Sequence, residues 1–255
     1  MSLNRRTFLQ LSAAGLVAGA LASRARAAGS APLSIKAIAF DGFAVFDPRP
    51  IFALAEQLFP GKGAELGNAW RTRQFDYAWQ RTLIGRYRDF WQVTQDALVF
   101  SAKLLKLDLR PDQRDRLMQA YLEIKAWPDV LPAMQSLKAA GLRLAFLANL
   151  TAEMMDAGMR NSGLEPLLEA HLSTDRMRAY KPDLRAYQMG VDAFGVSRNQ
   201  IVFVAFAGWD VAGAKAFGYP TYWVNRLGLP VEELGITADG TGPDLHGLEA
   251  FCRSR

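Results

Sequence analysis

Cysteine and histidine are scarce in this chain of 255 residues, which contains one cysteine and two histidines. Cys252, in a polar tail, has no second thiol with which to pair, so no disulfide can form within the chain. His171 and His246 lack the spacing of metal ligands, which excludes a zinc site of the Cys/His type and leaves both as surface or structural residues. Internal repeats are absent as well.

The sequence also lacks an apolar run long enough to span a membrane comfortably. The apolar run near the start of the sequence, Leu11 to Ala22, has about a dozen residues and is diluted by glycine and alanine. A transmembrane helix needs about 20 residues. The run follows the twin-arginine pattern of Arg5-Arg6 and precedes Ala25-Arg26-Ala27, which has the form of a cleavage site. We expect residues 1–27 to be a twin-arginine signal peptide that exports the folded protein to the periplasm, with only transient membrane contact. A membrane-anchoring helix is the alternative.

A strong basic excess disappears once that segment is set aside. The chain has 30 basic and 25 acidic residues, and residues 1–27 hold four arginines and no acid, which leaves 26 basic against 25 acidic residues. The remaining protein is nearly neutral, so its sequence gives no sign of a nucleic-acid partner. Half of all residues are hydrophobic, which is enough for a sizeable core.

A buried strand is predicted at the start of IKAIAFDGFAVFD, Ile35 to Asp47, where an apolar run ends at Asp41. Open α/β sheets place their chemistry at the carboxyl ends of such strands. The carboxylate of Asp41 could serve as a nucleophile, a metal ligand or a helix cap. Residues 42–46 predict no obvious helix, which weighs against the cap.

Helical periodicity then extends to about residue 125, and strands alternate with helices afterwards. This order predicts an α/β fold, a doubly wound parallel sheet in residues 33–47 and 127–255 with an inserted helical-bundle cap in residues 48–126. The predicted helices are 51–59, 64–84, 87–105, 111–124, 130–140, 151–161, 183–194 and 210–217, and the later strands are 142–147, 171–173, 201–205 and 221–224.

Three further strand ends carry polar residues: Asn149 after LAFLA, Lys181 in AYKPD and Asp210 in AFAGWD. Each alone is typical of a solvated loop. Together with Asp41, their order and spacing resemble the haloacid dehalogenase superfamily. The segments WRTRQFDYAWQRTLIGRYRDFWQVTQDAL (70–98), LFPGKG (58–63), AYKPDLRAY (179–187) and WDVAGAKAFGYPTYWVNR (209–226) resemble one branch, the type II L-2-haloacid dehalogenases, over nearly the whole chain after the signal segment.

This resemblance implies a hydrolase that acts on a small 2-haloacid or related carboxylate without a cofactor. It implies that Asp41 attacks the carbon bearing the halogen and that Arg71 binds the substrate anion or halide, while Lys181 keeps Asp41 ionised and Asp210 holds that lysine and orients water. It also implies substrate contacts, from Asn149, Tyr187, Phe43, Ala148 and Trp209. Alternatively, Arg71 is a surface arginine, Tyr187 a core aromatic and Asp210 an N-cap.

Phosphoryl-transfer members of the superfamily generally carry an acid two positions after the nucleophile. Here that position is Phe43, which disfavours a phosphatase. Only Asp41 and Asp210 remain as carboxylates for a metal, so we expect no metal requirement.

The chain departs from the family pattern at four positions that usually carry polar groups. They are Val45, Ala148, Ala205 and Ala207. Loss of one oriented donor in a closed site typically lowers the rate about a hundredfold to a thousandfold. Either the pocket is rebuilt for a more apolar substrate, or catalysis is weakened and the protein is a periplasmic family member that binds a small carboxylate.

Aromatic residues are dense in the predicted cap. More rings occur there than a four-helix cap can readily bury, which favours a homodimer formed through the cap helices, with core packing as the alternative. The rings are those of Trp70, Phe75, Tyr77, Trp79, Tyr87, Phe90 and Trp91.

Overall fold

The computed structural model describes residues 35–255, so the predicted signal peptide lies outside the described residues. A six-stranded sheet forms the centre, with strand order β5-β4-β1-β6-β7-β8, and every neighbouring pair is parallel. The predicted α/β class and doubly wound sheet are confirmed. The strands are β1 (Ala37–Phe40), β4 (Arg143–Ala148), β5 (Ala170–Ser173), β6 (Ile201–Ala205), β7 (Thr221–Val224) and β8 (Gly240–Gly242).

Helices cover both faces of this sheet, and a helix lies between each pair of successive sheet strands except β7 and β8. Strand β1 is buried throughout, as expected of a central parallel strand flanked by helices. The helices of this core are α1 (Gly42–Val45), α6 (Val130–Ala139), α7 (Ala152–Ser162), α8 (Leu184–Phe194), α9 (Gly208–Phe217) and α10 (Leu248–Arg253).

A helical insertion between β1 and β4 consists of α2 (Arg49–Leu58), α3 (Gly63–Leu83), α4 (Phe90–Leu104) and α5 (Pro111–Gln119). Trp70 fixes the pair α3 and α4, because its buried indole Nε1 donates to the Thr94 carbonyl at 2.8 Å. The insertion begins and ends at a small antiparallel ladder of β2 (Phe46–Asp47) and β3 (Lys125–Ala126). No helix among the described residues is long and apolar enough to cross a membrane.

Four local predictions are wrong. A one-turn helix, α1, does follow Asp41. The helix predicted for residues 111–124 ends at Gln119, because residues 125–126 pair with β2. Thr221–Val224 is not the last strand, since β8 adds to the sheet edge. Cys252 does not lie in a polar tail but in α10, where it is 6 % exposed.

The predicted dimer rests on aromatic residues that one chain already covers. All seven rings are buried or half-buried, and Trp70 and Phe90 are fully enclosed. The exposed large apolar side chains of the insertion are instead Leu83, Ile84 and Leu104.

Candidate active site

Four neighbouring strands of the sheet, β5, β4, β1 and β6, lead into the loops that form the site. Asp41 follows β1, Asn149 follows β4, Lys181 lies between β5 and α8, and Asp210 lies in the first turn of α9 after β6. Because the carboxyl ends of parallel strands meet at one edge, these four residues converge there.

Each oxygen of the Asp41 carboxylate accepts one hydrogen bond. Its Oδ2 accepts a hydrogen bond from the Phe43 amide at 3.0 Å, so Asp41 is the N-cap of α1. Its Oδ1 accepts from Lys181 Nζ at 2.9 Å. The two contacts fix the carboxylate plane while leaving the side chain 13 % exposed. The sequence disfavoured the role of Asp41 as a helix N-cap because residues 42–46 contain no helix signal. Helix α1 nevertheless forms, because residues distant in sequence stabilise it.

Those residues bind the carbonyl groups of α1. Trp127 Nε1 donates to the Phe43 carbonyl at 3.2 Å, and the Trp127 amide donates to the Val45 carbonyl at 2.9 Å. Arg226 donates to the Ala44 carbonyl at 2.9 Å. The orphan carbonyls of a single helical turn are thereby satisfied, and the backbone next to Asp41 is held in one position.

Lys181 is the centre of a buried charge cluster. Its ammonium group is fully buried and lies 2.6 Å from Asp210 Oδ2 as well as 2.9 Å from Asp41. Burial by itself would lower the pKa of Lys181, but the charges of Asp210 and Asp41 outweigh it and hold that pKa above its ordinary value. The lysine therefore stays charged and stabilises both carboxylates.

Asp210 is the buried member of the carboxylate pair. Burial raises the pKa of Asp210 to about 6; the positive charge of Lys181 opposes this shift and the negative charge of Asp41 adds to it. The hydroxyl of Tyr187 donates to Asp210 Oδ1 at 2.6 Å. Asp210 is not an N-cap, since that position of α9 is Ala207.

Tyr187 was predicted to contact the substrate, but it does not lie in the substrate pocket. It is fully buried among Phe203, Phe217 and Tyr219 and lines neither of the cavities described below. Helix α8 packs against the face of the sheet that is opposite to the insertion. Tyr187, which points from α8 toward the sheet, therefore contacts Asp210 from that face. Burial, followed by the nearby charge of Asp210, raises the pKa of Tyr187 well above its ordinary value, so its hydroxyl remains a donor.

Asn149 positions the loop that carries the lysine. Its Oδ1 accepts from the Lys181 amide at 3.0 Å and from the Thr174 hydroxyl at 3.3 Å. The insertion contributes as well, because Trp79 Nε1 donates to the Lys181 carbonyl at 3.2 Å. Ala148, at the end of β4, is fully buried.

Two adjoining cavities open at this edge of the sheet. The inner cavity has a volume of about 20 Å³, and Asp41 and Asn149 line it. The outer cavity has a volume of about 420 Å³, and Arg71 lines it. Residues that line both cavities are Phe43, Phe75, Phe206, Ala207 and Trp209.

Arg71 therefore lies in the compartment next to that of Asp41. It is exposed on α3, and no carboxylate of residues 35–255 lies within the 4.0 Å of an ion pair with it. Among these same residues, no group of three or more His, Cys, Asp or Glu side chains is arranged to hold a metal ion.

Trp79, Trp127 and Arg226 were missed by the sequence analysis. Trp79 follows Arg71 and Phe75 at intervals of four residues, a spacing that places all three on one face of α3. Arg226 follows the last residues of β7 in the same way that Asn149 follows β4, so its position after a strand was an available signal. The sequence contains no signal for Trp127, because the residues that it donates hydrogen bonds to lie more than 80 positions away.

Comparison with known proteins gives consistent matches. The sequence model of the haloacid dehalogenase-like hydrolases matches residues 35–218. Haloacetate dehalogenase H-2 of Moraxella sp. (strain B) is 42% identical over 215 residues, which are 84% of this chain and 96% of that protein.

Solved structures show the same similarity. The L-2-haloacid dehalogenase RSc1362 superposes with a TM-score of 0.84 at 39% identity, over 86% of this chain and 99% of that one. The L-2-haloacid dehalogenase of Xanthobacter autotrophicus, with chloropropionic acid covalently bound, gives 0.79 at 30% identity, over 86% and 98%.

Proposed function

This chain belongs to the haloacid dehalogenase-like hydrolase family, and on that premise we propose that it hydrolyses the carbon–halogen bond of a 2-haloacid with Asp41 as the nucleophile. The observation that carries the proposal is the setting of Asp41. A carboxylate fixed by Lys181 and by the Phe43 amide faces a small cavity lined mainly by aromatic and aliphatic side chains. The structure of a relative with chloropropionic acid covalently bound supports the same chemistry.

In the first step, one oxygen of Asp41 forms a bond to the carbon that carries the halogen. The carbon–halogen bond breaks, and halide leaves with the bonding electrons, which produces an ester of Asp41. Lys181 donates to Asp41 and holds its carboxylate in place for this attack, and Arg71 attracts the substrate carboxylate or the departing halide.

In the second step, water attacks the carbonyl carbon of the Asp41 ester. The bond between that carbon and the ester oxygen breaks, which releases the 2-hydroxyacid, regenerates the carboxylate and frees one proton. Asp210 is the second carboxylate that binds Lys181. With a pKa of about 6 it is in the range suited to accept a proton near neutral pH.

Halide release from 2-chloropropanoate, with and without Mg²⁺, tests the proposal. We expect release that does not depend on Mg²⁺ and that Asp41→Asn abolishes. In H₂¹⁸O under single-turnover conditions, the label should enter Asp41, because water attacks the aspartyl carbon. Release that survives in Asp41→Asn would refute the proposed nucleophile.

A periplasmic protein that binds a small carboxylate without turnover is the second candidate. The methyl groups of Ala148, Ala205 and Ala207 favour it, since they offer no donor to water or to substrate. Calorimetric binding of lactate, with no halide release and no adduct from any of several haloacids, would put this candidate first.

We also propose that residues 48–126 act as a cap over the core and that the protein forms a homodimer. A separate proposal is that residues 1–27 direct periplasmic export. Fractionation of a producing strain, with Arg5-Arg6 replaced by Lys-Lys as the control, tests export.

A further inference from the structure

The two cavities differ sharply in size, and this difference limits how a substrate can be placed. The inner cavity, about 20 Å³, offers room for about one water molecule. Only the reacting carbon or one of its small substituents can occupy it. The remaining atoms of a bound acid must lie in the outer cavity.

The outer cavity, about 420 Å³, lies within the range of about 300 to 1,000 Å³ that is typical of small-molecule sites. A two-carbon or three-carbon acid would leave most of this space to water. The volume instead suits an acid with a side chain of several carbon atoms.

The chemistry of the lining indicates the nature of that side chain. Four rings already form the boundary with the inner cavity, and four more belong to the outer cavity alone, those of Phe52, Trp79, Tyr121 and Trp127. Ala207 adds a methyl group to the boundary. Such a surface favours an apolar and planar group.

Charge in the outer cavity restricts the ligand further. Arg71 has no carboxylate partner within ion-pair distance among residues 35–255, so it can bind one carboxylate. Arg49 is paired with Asp47 at 2.7 Å.

Two carboxylates also line the cavity. Asp76 is paired with Arg73 at 3.7 Å. Glu232 has no cationic partner in the described part of the chain, so it would repel a second negative charge.

We infer that the substrate class is a monocarboxylic 2-haloacid with a bulky apolar side chain, aromatic or branched, held in the outer cavity while Arg71 binds its carboxylate. This inference rests on the proposed function and extends it to the choice of substrate. Chloroacetate and dicarboxylic 2-haloacids are poor substrates in this arrangement.

Two measurements on the purified protein test the inference, and the first of them does not depend on the reaction. The first is calorimetric binding of 3-phenylpropanoate, which contains no halogen, compared with propanoate. The second is kcat/KM for 2-chloro-3-phenylpropanoate, chloroacetate and 2-chlorosuccinate. One methylene in an apolar pocket changes such ratios roughly tenfold or more, so we expect the phenyl compound to be favoured at least tenfold in both.

A matched pair of variants on α3 locates the effect. Thr72 is exposed and lines the outer cavity only, whereas Gln80 is exposed on the same helix and lines neither cavity. Thr72→Trp should weaken binding of 3-phenylpropanoate at least tenfold by filling the cavity. Gln80→Trp should leave that binding unchanged.

The outcomes separate the inference from the function. Binding of 3-phenylpropanoate that is lost in Thr72→Trp, without turnover of any haloacid, supports the inferred site and refutes the dehalogenase. Turnover of chloroacetate with equal or weaker use of the phenyl compound retains the dehalogenase and overturns the inference. Equal effects of Thr72→Trp and Gln80→Trp also overturn it, because the effect would then not come from the cavity.

Discussion

The hydroxyl of Tyr187 donates a hydrogen bond of 2.6 Å to Asp210 Oδ1 from the buried side of the sheet. This bond favours the ionised form of Asp210 and so counteracts burial, the main cause of its raised pKa. A residue that does not line the cavities thus influences the charge of the site.

The first prediction follows from this bond. Tyr187→Phe should raise the pKa of Asp210 further. The acid limb of the pH profile of kcat, which includes hydrolysis, should therefore move to higher pH by about one pH unit. Activity falls as pH drops through this limb, because a protonated Asp210 cannot accept the proton that hydrolysis of the ester releases. Tyr219→Phe is the control, since that buried hydroxyl donates to the Tyr187 carbonyl. An acid limb that stays in place in Tyr187→Phe would contradict the prediction.

The second prediction concerns the buried lysine. Lys181→Met leaves Asp41 and Asp210 close together without their cation, and loss of one partner of a buried ion pair typically costs about 3 to 5 kcal/mol. Urea unfolding should show a loss of that size. Lys215→Met should cost under about 1 kcal/mol, because the pair of Lys215 with Asp239 is partly exposed.

Adding Asp210→Asn to Lys181→Met should recover part of the lost stability, because it removes one of the two unpaired charges. If the double variant is no more stable than the single one, the carboxylates do not repel each other as described.

The third prediction concerns the helix turn next to Asp41. Trp127→Phe keeps an aromatic ring, although a smaller one, and removes the donor to the Phe43 carbonyl. Hydrogen exchange at the amides of residues 42–46 should become faster, and ester formation on Asp41 should slow about tenfold to a hundredfold, since small displacements of a reacting group have effects of this size. Arg49→Met should leave the exchange unchanged, because Arg49 stacks on the same ring but donates to Asp47.

The fourth prediction separates attack from hydrolysis. If Ala205 and Ala207 remove the donors that hold water, a 2-haloacid should leave a mass increase on the peptide containing Asp41 with little turnover. Ala205→Ser combined with Ala207→Asn should then raise turnover about a hundredfold. The same pair in an Asp41→Asn background should give neither adduct nor turnover. Rapid turnover by the unmodified chain without a trapped ester would show that another group positions the water.

The fifth prediction concerns assembly. Leu83 and Ile84, at the end of α3, are 85% and 68% exposed, and adjacent exposed apolar side chains of this kind favour an interface. Light scattering at micromolar concentration should give a dimer, and Leu83→Glu combined with Ile84→Glu should give a monomer. A monomer in the unmodified protein would refute the dimer.

The sequence alone determined the class of the fold. The apolar runs of β1, β4, β6 and β7 and the helical periods between them are local patterns, and short parallel connections allow few arrangements. Convergence of Asp41, Asn149, Lys181 and Asp210 followed from the same reasoning, because each comes after a strand.

Only the tertiary structure decided how the remaining residues take part. Helix α1 has no local signal and depends on donors from Trp127 and Arg226, which lie far away in the sequence. Tyr187 faces Asp210 from the core, since the side on which α8 packs is set by the sheet as a whole. Arg71 lies in the outer cavity because the packing of Phe75, on α3, against Trp209 fixes where the boundary between the cavities falls. These features depend on contacts between distant segments, which periodicity and spacing do not encode.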